Sequence, residues 1–139
     1  MDTGERMIEL RFPAQASRLK LLRSVVHDVA LLCGGSDETA GKVVLAVNEA
    51  CMNVIQHAYR NDPSGEISVE LLNKHGRLVV RVRDFAPAVD PATVRSRALE
   101  DIRPGGLGVH LINEVMDEAR FLPPPDGVGN LFEMTKKLA

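Results

Sequence analysis

The chain has 139 residues, 45% of them hydrophobic, which suits one domain with a continuous core and excludes disordered and fibrous classes. Its 17 basic and 19 acidic residues leave a net charge of −2, which gives no footprint for direct nucleic-acid binding. The opening MDTGERMIEL is too polar for a signal peptide, no apolar run is long enough to span a membrane, and Cys33 and Cys51 lack metal-site spacing. The expectation is one cytoplasmic domain over 1–139, with reduced core thiols and no membrane contact.

Met7 to Phe12 alternates, with Ile8, Leu10 and Phe12 on one side, and reads as a strand that Pro13 ends. From Ala16 to Leu32, apolar Leu19, Leu22, Val26, Val29 and Ala30 recur at helical spacing, and Gly34-Gly35 stops the helix. Ser36 reads as the N-cap of a second helix, with Asp37 and Glu38 where the dipole favours acidic groups. Ala40, Val43, Val44, Val47, Cys51, Val54, Ile55 and Ala58 form its apolar stripe. Asn61 to Gly65 turns the chain, and strands follow over Glu66 to Leu72 and Leu78 to Val82, joined by Asn73 to Arg77.

Phe85 to Gly108 is punctuated by Pro, Ala and Gly, with a short helix suggested near Ala92 to Leu99. Gly105, Gly106 and Gly108 open a helix bearing Val109, Leu111, Ile112, Val115 and Met116. Strands are expected over Ala119 to Leu122 and Leu131 to Leu138. The order fits an α+β, two-layer sandwich, with helices on one face of a mixed β-sheet, better than regular βαβ winding.

Three places carry groups suited to chemistry. At helical spacing Glu49, Asn53, Gln56, His57 and Arg60 share one face of the second helix. A carboxylate and a carboxamide one turn apart offer oxygen ligands to Mg²⁺, and the carboxylate can accept a proton from an attacking hydroxyl; the same face also fits an ordinary solvated surface. Asp84 closes a strand beside an irregular loop, where a carboxylate can accept a hydrogen bond from an exocyclic amine or simply start a turn. Gly105-Gly106-Leu107-Gly108 precedes a helix, where backbone N–H groups can approach a phosphate or the glycines can serve as a hinge. It is neither a Walker loop nor a dinucleotide fingerprint. His27, His75 and His110 have no partner spacing and read as surface or packing residues.

Together these signals are specific. Glu49-x-x-x-Asn53-x-x-x-His57-Ala58-Tyr59, then Val80-Arg81-Val82-Arg83-Asp84, then Gly105-Gly106-Leu107-Gly108 with Leu111-Ile112 and Met116-Asp117 occur in that order. This resembles the ATPase fold shared by histidine kinases, heat-shock chaperones, type II topoisomerases and the MutL mismatch-repair proteins. Within it, the His57-Ala58-Tyr59 ending, the small size and the final Met134-Thr135-Lys136-Lys137-Leu138 are most similar to the bacterial anti-sigma factor serine/threonine kinases of partner-switching systems. The resemblance spans about Ile8 to Leu138.

The resemblance implies a histidine-kinase-like ATPase fold and the cofactors ATP and Mg²⁺. Glu49 matches the catalytic base, Asn53 the Mg²⁺ ligand, and Asp84 the carboxylate that reads the adenine amine. Gly105, Gly106, Leu107 and Gly108 match the lid motif over the phosphates, with 85–104 as the ATP lid. Two places depart from the family pattern. Ala86 and Ala88 stand where glycines are usual, and a left-handed backbone there would be strained. Asn130, after Gly129, stands where a threonine usually helps at the adenine, and it can donate or accept. The implied activity is transfer of phosphate to a small anti-anti-sigma protein together with sequestration of a sigma factor, by a homodimer in which Met7 to Phe12 is a candidate contact. The alternative is an ATP-binding module that controls its partner by contact alone, through the exposed face of the first helix with Arg18 and Arg23.

Overall fold

The protein is described from a computed structural model that covers residues 4–87 and 104–139. The helix suggested near Ala92 to Leu99, Ala88, and most of the stretch assigned as a lid lie outside the described residues.

Strand β1 (Glu5–Pro13) leads through a 3-10 turn (Ala16–Arg18) into α1 (Leu19–Leu32), and α2 (Asp37–Asn53) continues as a π-helical turn (Val54–Ala58). Then come β2 (Glu66–Lys74), β3 (Arg77–Asp84), α3 (Pro104–Val115), β4 (Glu118–Leu122) and β5 (Asn130–Lys137). Each element expected within the described residues is present. The β2–β3 connection is tighter than expected: Lys74 pairs with Arg77, and His75 and Gly76 both take positive φ, 54° and 80°. Such a turn matches the twist of the strands it joins.

The ends of the first two helices follow their sequence signals. Gly34 takes φ 103°, and its N–H and that of Gly35 close back onto the Leu31 and Ala30 carbonyls. The Ser36 hydroxyl accepts the Thr39 N–H at 3.1 Å, satisfying a donor at the start of α2.

The five strands lie in the order β1-β2-β3-β5-β4. The sheet is antiparallel throughout and not mixed. The crossover through α3 does set β3 and β4 parallel to each other. However, β5 inserts between them and runs opposite to both.

The sheet is two-faced, as period-2 alternation requires. Ile67, Val69, Leu71, Val80 and Met134 are fully buried, and they pack with Leu22 and Val26 of α1, Val43 and Cys51 of α2, and Ile112 of α3. Burial in this core pushes the Cys51 thiol up to about 12, which makes it inert. The opposite face carries a charge ladder across all five strands. Glu70 accepts from Arg6 at 2.7 Å and Arg81 at 3.4 Å, and Glu133 accepts from Arg81 at 2.9 Å and Arg120 at 3.3 Å.

Candidate functional site

Helix α2 supplies the first two candidate groups. Its apolar stripe faces the core and fixes its rotation, which leaves Glu49 and Asn53, one turn apart, half-buried at the border of that stripe. The helix packs against α1, α3 and β3. It therefore touches both the strand that ends in Asp84 and the helix whose first turn holds Gly105, Gly106, Leu107 and Gly108.

The α-helical ladder stops at Asn53. The Tyr59 N–H bonds the Val54 carbonyl at 2.9 Å, five residues back, and the Asn61 N–H bonds that of Ile55 at 2.7 Å. A π turn winds more widely than an α turn. The regular α spacing on which the five-residue face was read therefore holds for Glu49 and Asn53 but not through Gln56, His57 and Arg60. Gln56 and His57 are exposed, and Arg60 has already left the helix with φ 51°.

Asp84 is the third group. It is 4% exposed, and its Oδ1 accepts both the Asn130 side-chain amide at 2.9 Å and the Ala86 N–H at 3.0 Å. Burial pushes its carboxyl above the ordinary carboxylate range, while the bonds from Asn130 and Ala86 and the charge of Arg83 pull the other way. A buried carboxylate held on one oxygen by two donors is an oriented acceptor, and the bond from Ala86, two residues on, is also the turn-starting contact the sequence allowed.

Asn130 also donates to the Pro87 carbonyl at 3.2 Å, so one amide ties β5 to the strand end and to the chain leaving it. Among the described contacts its amide holds Asp84. Ala86 carries no positive φ, so the strain anticipated for an alanine at this position does not arise.

Two residues escaped the reading of the sequence as parts of this site. Gly129 takes φ +79°, and a Cβ there would lie 2.0 Å from the Asp84 carbonyl oxygen. Tyr59 donates its hydroxyl to the Glu66 carbonyl and accepts the Phe85 N–H, both at 2.7 Å. The place of Gly129 just before the departing Asn130 was the signal for the first, and the place of Tyr59 in the His57-Ala58-Tyr59 ending for the second.

Among the described residues no cluster of three or more His, Cys, Asp or Glu could cage a metal. The donor set does fit Mg²⁺, which is commonly held by one or two protein oxygens with phosphates and water completing the octahedron. Asn53, with Glu49 one turn earlier, is such a set. A separate cleft of about 340 Å³, lined by Arg6, Glu70, Arg81 and Arg83 among others, opens on the charged face of the sheet. Asp84 alternates to the other face.

Residues 12–136 match the family described as the histidine kinase-like ATPase domain. The serine-protein kinase RsbW of Bacillus subtilis (strain 168) is 34% identical over 129 residues, which cover 86% of this chain and 80% of that protein. RsbW of Bacillus velezensis is 32% identical over the same shares, and that of Bacillus cereus (strain AH820) is 31% identical over 83% of this chain and 76% of that one. Among solved structures, the RsbU and RsbW domains of Rv1364c from Mycobacterium tuberculosis match with a TM-score of 0.65 at 19% identity. That match covers 95% of this chain and 33% of the other, and it supports the fold alone.

Proposed function

The chain belongs to the histidine kinase-like ATPase domain family, among relatives named serine-protein kinase RsbW, and on that premise we propose that it is a Mg-ATP-dependent protein serine/threonine kinase and anti-sigma factor. Its substrate in this reading is a small anti-anti-sigma protein, and its second partner a sigma factor held by contact. The observation that carries the nucleotide site is the buried Asp84 carboxylate, oriented by Asn130 and Ala86 and adjoining the helix that bears Glu49 and Asn53.

Each residue has a distinct task. Asp84 accepts a hydrogen bond from the adenine amino group, a task its ionised form, an acceptor on both oxygens, performs best. Asn53 offers its amide oxygen to Mg²⁺, which when bound neutralises phosphate charge. The first turn of α3 presents backbone N–H groups and a favourable dipole to the phosphates. In this reading 85–104 is the nucleotide lid. Glu49 takes the proton of the attacking seryl or threonyl hydroxyl as its oxygen forms the new bond to the γ-phosphorus, and ADP leaves with the electrons of the broken P–O bond. Positioning and charge neutralisation supply most of the acceleration in such transfers.

The alternative of a module that binds without phosphotransfer drew its support from the alanines after Asp84. Ala86 keeps an unstrained backbone and gives its N–H to Asp84, so it offers that alternative no help. Of the two residues named for it, Arg18 is exposed in the 3-10 turn before α1, and Arg23 donates to Asn48 of α2 at 2.9 Å. A cytoplasmic homodimer, with the edge strand β1 at the contact, completes the proposal.

The test is transfer of labelled γ-phosphate from ATP, with and without Mg²⁺, to an anti-anti-sigma protein. Mg-dependent labelling on serine or threonine is expected. Tight partner binding with no transfer would replace the kinase by the contact-only module, and no nucleotide binding at all would remove both.

A further inference from the structure

Tyr59 stands where the π turn after α2, the start of β2 and the end of β3 meet. The register of β2 and β3 pairs Ile67 with Asp84, so the next pair outward would be Glu66 with Phe85. Those two do not bond each other. The Tyr59 hydroxyl donates to the Glu66 carbonyl and accepts the Phe85 N–H, each at 2.7 Å. One hydroxyl thus replaces a rung of the ladder, holding the strands apart at the residue that follows Asp84. Burial also pushes the Tyr59 hydroxyl above the ordinary phenol range, keeping it protonated as this bridge requires.

The ring is held as firmly as the hydroxyl. Gly65 lies against it so closely that a Cβ would fall 2.6 Å from ring carbons Cδ1 and Cε1. The backbone bond from Tyr59 to Val54 anchors the same residue to the end of α2, immediately after Asn53. Tyr59 is therefore a rigid strut between the helix bearing Glu49 and Asn53 and the strand end bearing Asp84.

We propose that Tyr59 is a positioning residue of the nucleotide site: its hydroxyl sets where the chain leaves β3, and so the depth and direction at which Asp84 meets the base. This rests on the reading of Asp84 as the group that recognises adenine. It makes base recognition depend on a residue of the α2 extension that need not touch the nucleotide.

Tyr59→Phe keeps the ring and its seat on Gly65 but removes the bridge. Gly65→Ala keeps the hydroxyl but displaces the ring that carries it. For both, KM for ATP and the calorimetric Kd for Mg-ATP are expected to rise about three- to tenfold, the range of one lost hydrogen bond. The preference for ATP over GTP falls, and kcat stays within about twofold. A residue that only stabilised the fold would lower the melting temperature and leave KM and the ATP/GTP ratio alone. Wild-type KM and base preference in Tyr59→Phe would overturn the proposal while leaving Asp84 as the adenine reader. If the wild-type protein binds no ATP, the nucleotide reading falls, and the role of Tyr59 with it.

Discussion

Asn130 holds Asp84. The two residues are direct partners across β3 and β5, and the Asn130 amide donates to Asp84 Oδ1 at 2.9 Å from within the sheet. A carboxylate in this position needs such a donor, because burial alone drives it toward the protonated form. Asn130→Ala removes that donor and the tie to Pro87. ATP affinity is expected to fall roughly tenfold, the scale for a hydrogen bond to a charged group. The loss of ATP binding on acidification should also start at a higher pH than in the wild type, since the Asn130 bond is one of the influences that lower the Asp84 pKa. Calorimetric titrations at a series of pH values read both effects, and identical midpoints would show that Asn130 does not tune Asp84.

Asp84→Asn separates stability from binding. The folded pKa of Asp84 is raised above the ordinary carboxylate value of 3.8. In the window above that value the folded state binds more protons than the unfolded one, so this group's contribution to stability falls as pH rises. At neutral pH the ionised carboxylate works against the fold. An asparagine presents the same Oδ1 to Asn130 and Ala86 without the buried charge, so its melting temperature at neutral pH is expected to equal or exceed that of the wild type. Its N–H₂ group would face the adenine amine, and ATP affinity should drop by roughly ten- to a hundredfold. A variant that melts lower and still binds ATP would contradict both halves of this account.

Gly129→Ala tests the backbone under the site. The substitution places a Cβ 2.0 Å from the Asp84 carbonyl oxygen at φ +79°, so the chain must move on both counts. A loss of about 2 kcal/mol or more in urea unfolding is expected, accompanied by weaker ATP binding as the end of β3 shifts. An alanine variant of Gly127, also at positive φ but with open space around it, should lose less and keep its nucleotide affinity.

What could be read in advance was whatever repeats within one element. The stripe of α2, its Ser36 cap and the Gly34-Gly35 stop depend on neighbours a few residues away, and the structure retains them. The Asp84 site depends on contacts that no local pattern encodes: Asn130 lies 46 residues from Asp84, and Phe85 lies 26 from Tyr59. The α spacing behind the five-residue polar face of α2 does not continue through Val54–Ala58, where the backbone bonds five residues back. The antiparallel sheet was missed for a related reason. Chain order gives β3, α3, β4 and then β5, and nothing in that order says that the last strand inserts between the two before it. Glu49, Asn53 and Asp84 could be proposed from the sequence because their order and spacing in one chain carry information that each lacks alone.

The final prediction divides the two roles given to α2. Glu49→Gln keeps the size and a hydrogen-bonding oxygen but removes the proton acceptor. General-base catalysis is worth roughly 10²–10⁴-fold, so phosphotransfer is expected to fall by about that factor, with little change in ATP affinity because Asn53 and Asp84 remain. Asn53→Ala removes the amide oxygen assigned to Mg²⁺, so it should weaken Mg-ATP binding and turnover together while leaving any metal-free nucleotide binding closer to the wild type. Both positions are half-buried at the edge of the core stripe, so neither variant opens a large cavity, and melting temperatures close to the wild type are expected. Single-turnover transfer of labelled phosphate, read beside calorimetry with and without Mg²⁺, resolves the two patterns. Transfer at the wild-type rate by Glu49→Gln would remove Glu49 as the base and leave it a member of the ligand shell, whereas partner binding that survives both substitutions would make sequestration separable from the chemistry.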